Sequence, residues 1–118
     1  MATVLVIEDE PALRRMLSFT LKDGGFDVRT AWNGVEGLEQ VDARAPDVIV
    51  LDLEMPVMDG RTFYRELRNR GLNMPVVILS AYGARQAQRE LQAEAAVQKP
   101  FSPDALVEKL RSLVPSAA

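Results

Sequence analysis

Four short apolar segments of the sequence end on polar side chains that could carry out chemistry. The residues that follow these segments are Glu8 and Asp9, then Asp52, then Ser80, and finally Lys99. The most abrupt change occurs at Asp52, which comes directly after four consecutive apolar residues. A buried strand that ends in this way places its carboxylate at the edge of a sheet, where it can act as a nucleophile or bind a cation.

Three of these side chains are carboxylates, which repel one another unless a cation lies among them. Because the chain has no histidine and no cysteine, the ligands would be hard oxygen atoms, which favour Mg²⁺, with Mn²⁺ as an alternative. Mg²⁺ held by carboxylates is usual in phosphoryl chemistry, and a carboxylate that attacks phosphorus forms an acyl phosphate. We therefore predict that Asp52 accepts a phosphoryl group. Lys99 supplies a second positive charge, and Ser80 can donate to a phosphoryl oxygen.

Each of these residues also has a simpler interpretation. Asp9 could be the cap of the first helix, and Asp59 is interpreted as the cap of the third. Ser80 alone could be an ordinary hydroxyl and Lys99 alone a solvated lysine. A carboxylate at Asp52 is harder to explain in this way, and the combination at four of five strand ends favours a functional site.

Composition narrows the class of protein. With 118 residues, 47% hydrophobic and 26% charged, the chain is expected to form one globular domain over residues 1–118, with 114–118 as a frayed tail or the start of a linker. A net charge of −3 gives no reason to expect direct nucleic-acid binding. No apolar run approaches the ~18 residues of a membrane span, and the lack of cysteine fits a cytoplasmic protein.

The lack of histidine also excludes a Ser-His-Asp triad, a histidine-ligated metal and a phosphohistidine carried by this chain.

Five strands alternate with five helices along the sequence. The predicted strands lie at residues 4–7, 26–30, 47–51, 76–79 and 95–98. The predicted helices lie between Pro11 and Gly24, Asn33 and Pro46, Asp59 and Gly71, Ala84 and Gln92, and Ser102 and Val114. Helical spacing places Met16 on the apolar face of the first helix and Val35 on that of the second.

This alternation predicts an α/β domain, a doubly wound (βα)5 arrangement with helices on both faces of a parallel sheet. The first, third and fourth strands are the most apolar and should be central, whereas the second and fifth should be edges. Right-handed crossovers then favour the strand order 2-1-3-4-5. The polar strand ends would meet at the carboxyl edge of this sheet, beside the switch in strand order between the first and third strands.

Four motifs together resemble the receiver domain of two-component response regulators. They are VLVIEDE at residues 4–10, DLEMPVMDG at 52–60, LSA at 79–81 and KPF at 99–101. The resemblance covers essentially the whole chain and implies a flavodoxin-like fold.

The resemblance also implies a role for the protein and for its residues. Asp52 would accept a phosphoryl group from a phosphohistidine on a sensor histidine kinase or phosphotransfer protein. Lys99 would pair with the acyl phosphate, and Ser80 would be the switch hydroxyl. The readout would lie on the fourth helix, fifth strand and fifth helix, with possible homodimerisation on phosphorylation. The domain would catalyse only its own phosphorylation and dephosphorylation.

For the metal, the resemblance implies a set of oxygen ligands. Asp9 would bind Mg²⁺ directly and Glu8 through water. The carboxylate of Asp52 and the backbone carbonyl of Glu54 would complete the set. The Lys99–Pro100 peptide bond is expected to be cis.

Two positions depart from the family pattern. Ala96 stands where an aromatic residue usually moves together with the switch hydroxyl. We hypothesise that Tyr82, two residues after Ser80, takes its place. In addition, Gln92-Ala93 stands where a Gly-Ala turn is common before the fifth strand.

Two other functions remain open from the sequence. One is a phosphohydrolase with an aspartate nucleophile, in which Glu54 would stand where such enzymes place an acid/base. The other is a scaffold that kept the fold without phosphorylation. Ala96, in place of the usual aromatic residue, is compatible with this alternative.

Overall fold

The computed structural model describes residues 1–114, so all but the first residue of the tail predicted at 114–118 lies outside the described residues. The five strands are β1 (Thr3–Ile7), β2 (Asp27–Ala31), β3 (Val48–Asp52), β4 (Val76–Ser80) and β5 (Ala95–Gln98). The five helices are α1 (Pro11–Asp23), α2 (Gly34–Ala43), α3 (Gly60–Asn69), α4 (Ala84–Leu91) and α5 (Pro103–Leu113). The predicted alternation is confirmed, and β2 and β3 each begin one residue later than expected.

All strands pair in parallel in the order β2-β1-β3-β4-β5. The predicted order is therefore confirmed. Every residue of β3 and β4 is buried, whereas the edge strands β2 and β5 are partly exposed. Apolar runs suit strands that are covered on both faces.

Successive residues of the central strands point to opposite sides of the sheet, which gives two apolar cores. Leu5 and Ile7 face the core under α2, α3 and α4. Val4 and Val6 face the core under α1 and α5. Among residues 1–114, no helix combines the length and the apolar character needed to cross a membrane.

Helices α1, α2, α3 and α5 each begin with a side-chain cap, whereas α4 begins after Gly83 without one, and one cap differs from the prediction. Asn33, Asp59 and Ser102 each accept a backbone N–H of the first helical turn, as expected. The cap of α1, however, is Glu10, whose carboxylate accepts from the backbone N–H groups of Ala12 and Leu13. Asp9 is thus not the cap, and its carboxylate is left for another role.

Two residues predicted to face the core are exposed instead. Met16 is 36% exposed and Val35 is 43% exposed. In α2, one residue that faces the sheet is Gly37. A Cβ at this position would lie 2.7 Å from Ile7 Cδ1. The helix approaches the sheet so closely at that turn that a larger residue would require the Ile7 side chain to shift.

The end of α4 has a left-handed residue that is not glycine. Gln92 has φ 59° and ψ 38° at the C-cap, the position of the departure noted in the sequence. A side chain in this region costs about 1–2 kcal/mol relative to the right-handed region, whereas glycine adopts it freely.

Gln92→Gly should therefore raise the free energy of unfolding by about 0.5–1 kcal/mol, which is the relief of strain less the added entropy of glycine in the unfolded chain. Arg89→Gly, inside the same helix, should lower it by about 1 kcal/mol. Urea unfolding of both variants checks this. Equal destabilisation by the two substitutions would contradict the interpretation.

Candidate functional site

The strand ends bring most of the predicted site residues to one edge of the sheet. The Lys99 ammonium lies 3.1 Å from Asp52 Oδ1 and 3.5 Å from Glu8 Oε1. Lys99 is held there because its backbone N–H donates to the carbonyl of Ser80 at 2.9 Å, which joins the ends of β5 and β4. The Lys99–Pro100 bond is cis, as expected.

The two carboxylates of this group are almost completely buried. Glu8 and Asp52 are each 1% exposed. Burying a charge is costly unless it is paired, and here two carboxylates share one ammonium group. The buried cluster therefore holds more acidic than basic groups.

This arrangement shifts the pKa values of all three groups. Burial, together with hydrogen bonding to Asp52 and its charge, raises the pKa of Glu8 to about 8. Burial also raises the pKa of Asp52, although Glu8 and the Lys99 ammonium oppose the shift. For Lys99, burial lowers the pKa, but the charges of Glu8 and Asp52 outweigh it and the pKa is raised. At neutral pH, Glu8 therefore retains a proton.

The same edge offers ligands suited to a divalent cation. One carboxylate oxygen each from Glu8, Asp9 and Asp52 lies within 4.8 Å of the other two. Glu8 Oε1 is buried and has no hydrogen-bond partner among residues 1–114. A buried oxygen that accepts no hydrogen bond and lies among other hard oxygen ligands fits Mg²⁺ or Mn²⁺.

The loop after β3 passes very close to Asp52. A Cβ at Gly60 would lie 2.6 Å from the carbonyl oxygen of Asp52 and 2.7 Å from Leu53 Cα. Only glycine fits at the start of α3, which explains the Asp-Gly pair of the motif. Val57 in the same loop has φ 71°, an unusual conformation for a β-branched residue.

The side chain of Glu54 makes contacts that the sequence did not predict. Ser80 Oγ lies 2.8 Å from Glu54 Oε2, and the backbone N–H of Ala81 donates to Glu54 Oε1 at 2.8 Å. The backbone N–H of Glu54 donates to Asp52 Oδ1 at 3.2 Å. The only sequence signal is an acidic residue two positions after the strand-end carboxylate, and this does not show where its side chain points.

Ala96, the first departure from the family pattern, and Tyr82, its hypothesised substitute, differ in exposure. Tyr82 is 82% exposed, and it is its backbone that contacts Ser80, with the N–H donating to Ser80 Oγ at 3.1 Å. Ala96 packs against the core under α2, α3 and α4. A role for the Tyr82 ring stays a hypothesis.

The shifted pKa of Glu8 predicts how the metal-free protein responds to pH. In the unfolded chain Glu8 has its ordinary pKa of 4.5, so between about pH 4.5 and pH 8 the folded protein holds a proton that the unfolded chain has lost. Stability contributed by Glu8 is present below that range and is lost as the pH rises through it. In the presence of a chelator, urea unfolding should show this loss in the wild type and a flatter dependence in Glu8→Gln. Parallel pH profiles of the two proteins would contradict it.

Comparison with known proteins identifies the family. The family model described as the response regulator receiver domain matches residues 4–111 of this chain. The response regulator MprA of Mycobacterium ulcerans (strain Agy99) is 35% identical over 114 residues, covering 94% of this chain and 49% of that protein. MprA of Mycobacterium avium (strain 104) is 34% identical over 94% of this chain and 50% of that protein. The chain thus spans about half the length of the curated relatives that it matches.

Solved structures show the same fold. The receiver domain of the Francisella response regulator 1452 superposes with a TM-score of 0.90 at 31% identity, covering 96% of both chains. The chemotaxis protein CheY4 of Vibrio cholerae superposes with a TM-score of 0.89 at 33% identity, covering 97% of this chain and 99% of that one. These matches confirm both the predicted flavodoxin-like fold and the resemblance carried by the four motifs. The chain belongs to the family of response regulator receiver domains.

Proposed function

We propose that this domain is a signalling switch in which Asp52 accepts a phosphoryl group from a phosphohistidine of a sensor histidine kinase or phosphotransfer protein. The observation that carries the proposal is the buried Asp52 carboxylate 3.1 Å from the Lys99 ammonium, at the edge where Glu8 and Asp9 also lie. Buried charge of this kind destabilises a fold, and a functional role accounts for its presence. The domain acts inside the cell, where its phosphodonor is found.

The chemical step forms one bond and breaks one bond. An oxygen of Asp52 attacks phosphorus, and the phosphorus–nitrogen bond of the donor phosphohistidine breaks, with the electron pair left on the imidazole. Hydrolysis of the acyl phosphate later returns the carboxylate and inorganic phosphate. The chain thus catalyses only its own phosphorylation and dephosphorylation.

Glu8, Asp9 and Asp52, with the backbone carbonyl of Glu54, are the residues that would hold a divalent cation. When bound, Mg²⁺ supplies positive charge that offsets the charge of the phosphoryl oxygens. Lys99 exchanges its contact with the Asp52 carboxylate for one with the phosphoryl group.

Ser80 carries the signal away from the site. Its hydroxyl donates to a phosphoryl oxygen on Asp52, and the loop between β4 and α4 moves with it. The readout is a shift in the populations of two states of the surface formed by α4, β5 and α5. This surface is also where a second copy of the domain would bind after phosphorylation.

The two alternatives are less well supported. In a phosphohydrolase, Glu54 would face the substrate as an acid/base, but here its carboxylate accepts from Ser80 and Ala81. A scaffold without phosphorylation would have no need of the buried Glu8, Asp52 and Lys99 cluster.

Acetyl phosphate and Mg²⁺ should add the mass of one phosphoryl group to the wild type, as measured by intact-protein mass spectrometry. Asp52→Asn should lose this label, because an amide is not a nucleophile of this kind, whereas the exposed Asp23→Asn should keep it. A chelator should also abolish labelling. Label that persists on Asp52→Asn would refute the assignment, and sustained turnover of p-nitrophenyl phosphate would favour the phosphohydrolase.

A further inference from the structure

The carboxylate of Glu54 joins two loops that belong to different strands. Its Oε1 accepts from the backbone N–H of Ala81 and its Oε2 accepts from the Ser80 hydroxyl, each at 2.8 Å. We call this pair of hydrogen bonds the Glu54 bridge. It connects the loop after β3 with the loop after β4, three residues before α4 begins at Ala84.

Both donors of the Glu54 bridge lie beside the proposed phosphorylation site. Asp52 pairs with Leu79 in the sheet, and the backbone N–H of Leu53 donates to the carbonyl of Leu79 at 3.0 Å. Ser80 and Ala81 therefore follow the strand end next to that of Asp52. Hydrogen bonds to an ionised acceptor are about twice as strong as neutral ones, so an anion near Asp52 would compete for these donors.

The Ser80 hydroxyl has a second acceptor within reach. Its Oγ lies 2.8 Å from the carbonyl oxygen of Tyr82 as well as from Glu54. A hydroxyl has a single proton and donates to one acceptor at a time. The carboxylate is the stronger acceptor, and Ser80 itself is completely buried, so in the resting protein the hydroxyl donates mainly to Glu54.

We propose that Glu54 is a positioning residue that restrains the switch: in the resting state its carboxylate occupies the Ser80 and Ala81 donors, which a phosphoryl group on Asp52 must take from it. The inference rests on the proposed role of Asp52. A phosphoryl group has three acceptor oxygens and carries up to two negative charges. It therefore competes for both donors and repels the carboxylate.

Displacement of Glu54 has a direct route to the rest of the domain. Glu54 is itself exposed, so its carboxylate can move into water without a desolvation cost. Loss of the Glu54 bridge removes one restraint on residues 80–83, which lead into α4. The Glu54 bridge thereby biases the resting protein against activation. Its strength sets the free energy that phosphorylation must supply.

The test compares binding of beryllofluoride, an analogue of the phosphoryl group, at saturating Mg²⁺ in three variants. Glu54→Ala removes the carboxylate, and Glu54→Asp keeps the charge but shortens its reach. Both should bind the analogue about tenfold more tightly than the wild type, which corresponds to about 1.4 kcal/mol. Glu54→Gln keeps the length without the charge and should fall between. Glu39→Gln, an exposed charge change on α2, should match the wild type.

The order of affinities among the Glu54 variants distinguishes loss of the Glu54 bridge from a general effect of charge. If Glu54→Asp binds like the wild type while Glu54→Ala and Glu54→Gln bind more tightly, local charge is responsible and the proposal fails. Binding equal to that of the wild type in all three Glu54 variants would also overturn the proposal. A second readout needs no phosphoryl analogue: the amide proton resonance of Ala81 should move in both Glu54→Ala and Glu54→Asp, and an unchanged resonance would contradict the bridge.

The same titration distinguishes a failure of the proposed role of Asp52 from a failure of the proposed role of Glu54. Binding that is lost in Asp52→Asn supports the role of Asp52, whatever the Glu54 variants do. If the wild type does not bind the analogue, both the proposed function and the role of Glu54 are refuted.

Discussion

The contact on which the site depends is the one between two buried carboxylates and a single ammonium group. Glu8 and Asp52 are removed from water at the ends of adjacent strands, and Lys99 reaches both from the end of β5. Isolated buried charges would neutralise themselves by shifting their pKa values, and the raised pKa of Glu8 is that response. What the cluster leaves unsatisfied is Glu8 Oε1, a buried oxygen without a hydrogen-bond partner among residues 1–114, and a divalent cation is the ligand that would satisfy it.

The parallel sheet makes this cluster possible and explains why much of it could be predicted. Unbroken apolar runs fix the central strands, and the strand order brings their carboxyl ends together, so that Glu8, Asp52, Ser80 and Lys99 could be assigned to one edge from the sequence. The first helix was less predictable, because Glu10 and Asp9 are both acidic and either could cap it. Spacing also placed Met16 and Val35 on apolar faces, but it does not report how closely a helix approaches the sheet.

Contacts of exposed side chains in loops could not be predicted at all. Glu54 has several rotatable bonds, and nothing in the order of residues shows that its carboxylate turns toward Ser80 and Ala81. With Ala96 in place of the family's aromatic residue, this contact offers another means of coupling the site to α4. The chemistry at Asp52 and the restraint on Ser80 would then be set by two acidic residues only two positions apart.

A crystal structure of the domain with Mg²⁺ and beryllofluoride tests the central claim most directly. The account predicts that beryllium bonds to a carboxylate oxygen of Asp52, that Mg²⁺ lies among the oxygens of Glu8, Asp9 and Asp52, and that the Lys99 ammonium contacts a fluorine atom. Beryllium bonded to another carboxylate, or Mg²⁺ located away from these three residues, would contradict it.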